Sequence, residues 1–188
     1  AFTPHTGPLD PRIDFTIGRR GVEYNGYGPF TGKENIRASF SDISGPYAAK
    51  KSMYYAGDDT NKGTGGWGQQ RSGINYHIIR YADVLLMAAE AAVESGSLET
   101  ARGYVNQVRQ RAIDGPRADS SPNYSISTYG SAWTDQAVAR KAVRFERRLE
   151  LGMEGGRLFD LRRWGVMEQT LNAYISNEGR TIPTFQSR

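Results

Sequence analysis

The chain has 188 residues, of which 38% are hydrophobic and 23% charged, with a net charge of +4. That is enough for one domain with a real core, and its longest apolar run, Val84 to Met87 with the alanines after it, is far short of a membrane span. There is no cysteine, and the only two histidines, His5 and His77, lie far apart. These facts exclude a disulfide framework, a thiol nucleophile and a zinc site built on thiolates. They also argue against a histidine metal site or a histidine-centred triad, and no metal or cofactor is expected.

Residues 1–76 read as turns and irregular chain, because they hold 13 of the 22 glycines and 5 of the 8 prolines. A short strand is expected around Asp14–Ile17. Residues 21–81 concentrate 10 of the chain's aromatic residues: Tyr24, Tyr27, Phe30, Phe40, Tyr47, Tyr54, Tyr55, Trp67, Tyr76 and Tyr81. Aromatic faces stack on the apolar faces of sugar rings, while neighbouring polar groups satisfy the hydroxyls. Some of these rings must anchor irregular loops to the rest of the protein, and others are free to meet a ligand. Trp67, in "GTGGWGQQ", is the leading ligand-contact candidate, followed by Tyr27 and Tyr55. "GTGGWG" matches the spacing of a dinucleotide fingerprint, but no strand precedes it and no helix opens after it, so it reads as a loop. "DDTN" at 58–61 lacks the terminal glutamate of a calcium loop and reads as a turn.

Residues 77–175 read as helices. Ile79, Ala82, Leu85, Leu86, Ala89 and Val93 recur at three and four, forming one apolar stripe. Gly96 stops this helix and Ser97 can cap the next, which carries Ala101, Val105, Val108 and Ala112. So short a connection makes the pair a hairpin, and the small residues give it tetratricopeptide-like grammar. After a loop at 114–133, a third helix opens at Thr134-Asp135 with Val138, Ala142, Phe145, Leu149 and Met153 on its apolar side. Gly155-Gly156 interrupts it, Leu158, Leu161, Gly165 and Met167 continue on a fourth helix, and 176–188 read as an irregular tail. Hairpins of this kind need neighbours to bury a continuous core, and 76 unpatterned residues are unusual in a self-contained domain, so the chain is expected to be part of a larger protein.

Residues 102–163 carry 12 Lys/Arg against 7 Asp/Glu. A basic tilt confined to helices signals solvated faces and ion pairs rather than a nucleic-acid surface. The expected structural pairs are Glu146 and Glu150 with the neighbouring Arg147 and Arg148, and Asp160 with Arg162 and Arg163, Trp164 covering the elbow. Asp10 with Asp14, or Glu146 with Glu150, could form the carboxylate pair of a glycosidase. Ion pairing would lower their pKa values, which is the wrong direction for a general acid, so catalysis is not expected.

Four stretches together resemble the SusD/RagB family: "LDPRIDFTIGRRG" (9–21), "NYHIIRYADVLLMAAEAAVESG" (75–96), "ARGYVNQVRQRA" (101–112) and "RFERRLELGMEGGRLFDLRRWG" (144–165). Their order and spacing are similar to the carboxy-terminal half of that family, the nutrient-binding surface lipoproteins of the Bacteroidetes outer membrane. The resemblance implies a mainly α fold, with tetratricopeptide-like helix hairpins and a long loop-rich insertion. It implies a non-catalytic protein that binds oligosaccharides, or in some relatives peptides, and sits on a SusC-like TonB-dependent transporter. Membrane attachment would come only through a lipid anchor outside this chain. The competing readings are a tetratricopeptide-type scaffold that docks a peptide or protein through its helical groove, and a glycoside hydrolase fragment.

Overall fold

The computed structural model describes residues 5–32, 47–63, 65, 72–120 and 122–180. Trp67 and Phe40 lie outside the described residues. The chain forms two compact units, Ala1–Glu150 and Leu151–Arg188.

In the first unit the core is helical. Helix α2 (Tyr81–Glu94) buries Ala82, Leu85, Leu86, Ala89, Ala92 and Val93, and helix α3 (Leu98–Asp114) buries Ala101, Val105, Val108 and Ala112. The two form a hairpin, and α4 (Gln136–Glu150) packs on both of them through Ala139 and Val143. Alanines at the contacts let the helix axes approach, while each fully buried valine or leucine contributes about 1.5–3 kcal/mol. Leu98, Tyr104, Tyr129 and Trp133 close the edge of this core. Ile79, expected on the α2 stripe, precedes the helix and is exposed.

The hairpin turn is set by backbone geometry. Gly96 adopts φ +81°, and the amides of Gly96 and Ser97 donate to Val93 O and Ala92 O at 3.1 and 2.8 Å. This is a Schellman ending, which satisfies two otherwise orphaned carbonyls. Ser97 stands at the N-cap of α3 as expected, yet its hydroxyl makes no capping bond. Asp135 does cap α4, accepting from Val138 N at 2.9 Å.

Helix α4 differs in phase from the expected stripe. Val138 and Phe145 are exposed, Ala142 and Leu149 are half-buried, and Met153 lies beyond the helix end with φ +65°. The buried side instead carries Ala139, Val143, Glu146, Arg147 and Glu150. Hydrophobicity misplaces the inner face here because three of its five residues are charged.

The loop-rich part contains a one-turn helix α1 (Ile13–Thr16) where a strand was expected. It leads into strand β1 (Ile17–Gly18), which pairs antiparallel with β2 (Ala48–Ala49). Leu9 pairs with the loop after α3, donating to Asn123 O at 3.0 Å and accepting from Ser125 N at 2.9 Å. That loop is fastened along one face of α3. Asn106 both donates to and accepts from the Tyr129 backbone at 3.0 and 2.8 Å, Arg102 donates to Tyr129 O at 2.7 Å, and Arg109 to Ser127 O at 2.6 Å. Glu99 accepts from Trp133 N at 2.6 Å. Positions 99, 102, 106 and 109 recur at three and four, so a helix face reads an extended chain running antiparallel to it.

The second unit has α5 (Arg157–Arg163) and α6 (Met167–Glu178). Residues 176–178, expected in an irregular tail, therefore belong to a helix. Asp160 pairs with Arg163 at 2.8 Å, and Arg157 and Arg163 lie over the Trp164 ring at 5.6 and 5.0 Å. Arg162, expected to share Asp160, is exposed. It follows Asp160 by two residues, a spacing that points side chains to different sides of a helix, whereas Arg163 is one turn on.

Candidate functional site

Two arrangements of polar and aromatic side chains stand out in the first unit: an ionic cluster on the inner face of α4, and a pair of tyrosine-bearing turns in the loop-rich part.

The cluster is organised by Glu146, whose side chain is fully buried, and Glu150, which is nearly so. Glu146 accepts from Arg12 at 2.6 Å and from Arg109 at 2.8 Å. Glu150 accepts from Arg12, Arg80 and Arg111 at 3.1, 2.9 and 2.7 Å. Its carbonyl, at the open end of α4, accepts from Lys51 Nζ at 2.9 Å and Arg80 Nη2 at 3.0 Å, where cations favour the helix dipole. Arg12 is also gripped by Asp10 through a two-point contact, Nε to Oδ1 at 2.9 Å and Nη2 to Oδ2 at 2.7 Å. Burial alone would raise the Asp10 carboxyl, but hydrogen bonds from the Arg12 side chain and backbone, with the charges of Arg12 and Arg109, hold it below its ordinary range. Burial likewise opposes the Arg12 charge, yet Asp10 and Glu146 raise its pKa further.

The partners of Glu146 and Glu150 are thus arginines from other elements, not their helix neighbours. Arg147 turns to Asp83 on α2 at 2.8 Å, and Arg148 is exposed and joins no ion pair among the described residues. The buried side of α4 runs through Ala139, Val143, Glu146, Arg147 and Glu150, and Arg148 falls on the opposite, solvent-facing side. A second buried pair lies nearby. Arg19 donates to both Asp14 oxygens at 2.6 and 2.7 Å, and Tyr124 Oη adds a bond to Oδ2 at 2.7 Å. Glu146, Glu150, Asp10 and Asp14 are all engaged by guanidinium donors, an arrangement that holds separate elements of the first unit together. Among the described residues, no group of three His, Asp or Glu could hold a metal ion.

The turns are built from the segment that follows β1. Asn25 and Gly26 have φ +49° and +81°, and Tyr27 N donates to Tyr24 O at 3.0 Å. Two consecutive positive φ angles are what a type I′ hairpin turn demands, and Asn-Gly is its preferred pair. Val22 and Phe30 continue the hairpin through Phe30 N to Val22 O at 2.9 Å, with Phe30 buried. Tyr24 packs on Phe30 with ring centroids 5.1 Å apart and donates to Ala49 O at 2.6 Å. Burial raises its pKa, and burial lowers that of Lys50, whose ammonium donates to Glu23 O at 2.5 Å.

A second turn, Tyr55 to Asp58, packs against the first. Ala56 N donates to Asn25 O at 2.8 Å, the buried Asn25 amide makes long bonds of 3.5 Å to Met53 O and Tyr54 O, and a side chain at Gly26 would come within 3.2 Å of Ala56 Cβ. The two turns leave Tyr27 and Tyr55 at 56% and 60% exposure. Tyr24 and Phe30 are inward anchors, whereas Tyr27 and Tyr55 face solvent from neighbouring turns. Asn25, the residue that joins those turns, was not singled out by sequence reasoning, although "YNGY" at 24–27 is a strong hairpin signal.

A sequence model of the SusD family matches residues 1–187. SusD-like protein P2 of Formosa agariphila is 35% identical over 123 residues, which are 64% of this chain and 22% of that protein. SusD-like protein P25 of the same organism is 36% identical over 93 residues, 50% of this chain and 16% of that protein. Among solved structures, a SusD superfamily protein from Bacteroides vulgatus superposes with a TM-score of 0.58 at 29% identity, covering 88% of this chain and 31% of that one. A SusD-like protein from Bacteroides fragilis gives 0.54 at 26% identity, covering 84% and 28%. The chain therefore spans less than a third of the length of each of these relatives. A mainly helical fold with a tetratricopeptide-like hairpin, two solved relatives of the same kind and a match running almost end to end lead to one conclusion: this chain belongs to the SusD family.

Proposed function

We propose that this chain is part of a cell-surface protein that binds oligosaccharides and delivers them to a SusC-like TonB-dependent outer-membrane transporter, without catalysing a reaction on them. The observation that carries this reading is the exposure of Tyr27 and Tyr55 on two turns joined through Asn25. Flat phenol rings held at the surface by ordered backbone suit stacking on sugar rings. Trp67 is assigned to the same ligand surface on the strength of its Gly-rich aromatic loop. Attachment to the outer membrane through a lipid anchor follows from the same family reading.

The test is a titration of the intact protein against a panel of oligosaccharides and peptides, with Tyr27→Ala, Tyr55→Ala and Trp67→Ala variants beside it. The expected result is saturable binding of one glycan class, weakened in all three variants while helical content is unchanged. Binding of peptides alone, or glycan binding indifferent to all three substitutions, would overturn the reading.

A scaffold role is favoured by a different observation. Tyr81, Val84 and Met87 on α2 are exposed apolar residues within two turns of helix, and such patches mark surfaces that meet other polypeptides. Here Tyr81→Ser and Met87→Ser would abolish capture of a peptide or protein partner while leaving glycan binding intact.

A further inference from the structure

We infer that the Tyr27–Tyr55 surface selects uncharged oligosaccharides and discriminates against uronate- or sulfate-bearing ones. This rests on the glycan-binding reading and deepens it by naming the ligand class. The chain as a whole is basic, at +4, so a preference for neutral ligands would not follow from net charge. It follows from which charges stand beside the two rings.

Among the described residues of the two turns and the chain just after them, the carboxylates are Glu23, Asp58 and Asp59, and the cation is the half-buried Lys62. Glu23 Oε1 accepts from Gly26 N at 2.7 Å, which places that carboxylate directly under the turn bearing Tyr27. Asp58 closes the turn that begins at Tyr55, its amide donating to Tyr55 O at 3.1 Å, and its carboxylate is held by Asn61 Nδ2 at 2.9 and 3.1 Å. Asp59 is highly exposed and pairs with Lys62 at 3.0 Å. That pairing is the first cause of the raised Lys62 pKa, and the same ammonium lies within electrostatic reach of Tyr27 and Asp58. Lys62 is therefore already neutralised by Asp59, and Glu23 and Asp58 remain among the described residues of the turns.

The exposed Arg20 stands at the base of the hairpin, beside Gly32, and the other cations of these segments are turned inward. Lys50 is buried and donates to Glu23 O, Arg19 is locked on Asp14, and Lys51 caps the end of α4. A glycan stacked on Tyr27 or Tyr55 would meet carboxylates and an asparagine, which accept from and donate to hydroxyls. A carboxylate or sulfate on the sugar would meet like charge instead. At contact distances in water such repulsion weakens binding about threefold per charge at low ionic strength, and salt relaxes it.

The deciding experiment compares the best-binding neutral oligosaccharide with the same oligosaccharide oxidised at its primary hydroxyls to uronates, titrated into the intact protein at low and high salt. The expected result is weaker binding of the oxidised form by about tenfold or more over several charged rings, a gap that narrows with salt. Asp58→Asn combined with Asp59→Asn should narrow the ratio of the two affinities about threefold per charge removed, a ratio in which any loss of hydroxyl contacts common to both forms cancels. Equal or tighter binding of the oxidised form, still weakened by Tyr27→Ala, would overturn the charge selection and keep the aromatic site. Binding of both forms that ignores Tyr27→Ala and Tyr55→Ala would overturn the site itself.

Discussion

Arg12 and Glu146 lie 134 positions apart in the chain, and their side chains meet at 2.6 Å inside the first unit. This contact fastens the start of the loop-rich part to the inner face of α4, and Arg109 completes the grip on Glu146 from α3. Removing one partner of such a cluster strands the others in a dry environment. Glu146→Ala is expected to destabilise by about 3–5 kcal/mol, because two guanidinium groups lose their shared acceptor. Arg148→Ala, at an exposed position on the same helix, should change stability by less than about 0.5 kcal/mol. Chemical denaturation of the two variants side by side checks the contrast.

Acid should reach this cluster through Asp10. Its folded-state pKa is depressed below the ordinary value of 3.8, so the folded form binds its proton less readily than the unfolded form. The stabilisation it contributes is fully present above that ordinary value and is lost as pH falls through the lower, folded-state value. Asp10→Asn should therefore melt below the parent protein at neutral pH, and the difference should shrink as pH falls below the ordinary carboxylate range. A constant gap in melting temperature across that range would contradict the assignment of Asp10 as an ionised partner of Arg12.

Sequence periodicity identifies α2 and α3 because their inner faces are Ala, Val and Leu at spacings of three and four. It misplaces the inner face of α4 because Glu146, Arg147 and Glu150 occupy core-facing positions while Val138 and Phe145 stay exposed. A charged inner face cannot be told from a solvated one until its partners are known. Those partners, Arg12, Arg80, Asp83, Arg109 and Arg111, come from segments with no local relation to α4. The candidate site divides in the same way. Tyr27 and Tyr55 can be picked out by composition, but the adjacency of their turns depends on the bond from Ala56 N to Asn25 O, a contact between segments that no local pattern announces. Trp67 lies outside the described residues, and its place relative to the two tyrosines is part of the proposal.

Asn25 tests whether the two turns act together. At φ +49° its backbone is acceptable to asparagine and glycine but unfavourable for a β-branched residue. Asn25→Gly should keep the hairpin and remove the amide contacts to Met53 and Tyr54. Asn25→Val should strain the turn by about 1–2 kcal/mol and free the Ala56 amide from Asn25 O. Hydrogen exchange at Ala56 is expected to be slow in the parent, modestly faster in the glycine variant and fastest in the valine variant. Glycan affinity should fall in the same order if both rings contact one ligand.

Gly96 offers a cleaner stability measurement. A methyl group added there would meet nothing within 4 Å, so Gly96→Ala probes only the backbone at φ +81°. The expected loss is about 1 kcal/mol, the ordinary penalty for a side chain in the left-handed region at a helix end.

Asn106 is the residue on which the long loop after α3 depends most directly, since its amide serves both the N–H and the carbonyl of Tyr129. Asn106→Ala leaves both backbone groups to find water or other partners, at an expected loss of about 1–3 kcal/mol. Tyr129 should not detach completely, because Arg102 still donates to its carbonyl and Arg109 lies over its ring at 4.9 Å. The loop should loosen while the α2–α3–α4 core remains folded. Faster exchange at Tyr129, with slow exchange retained at Val105 and Val143, would show that loosening. Exchange accelerated uniformly across all three helices would instead mean that the loop is an integral part of the core's cooperative unit.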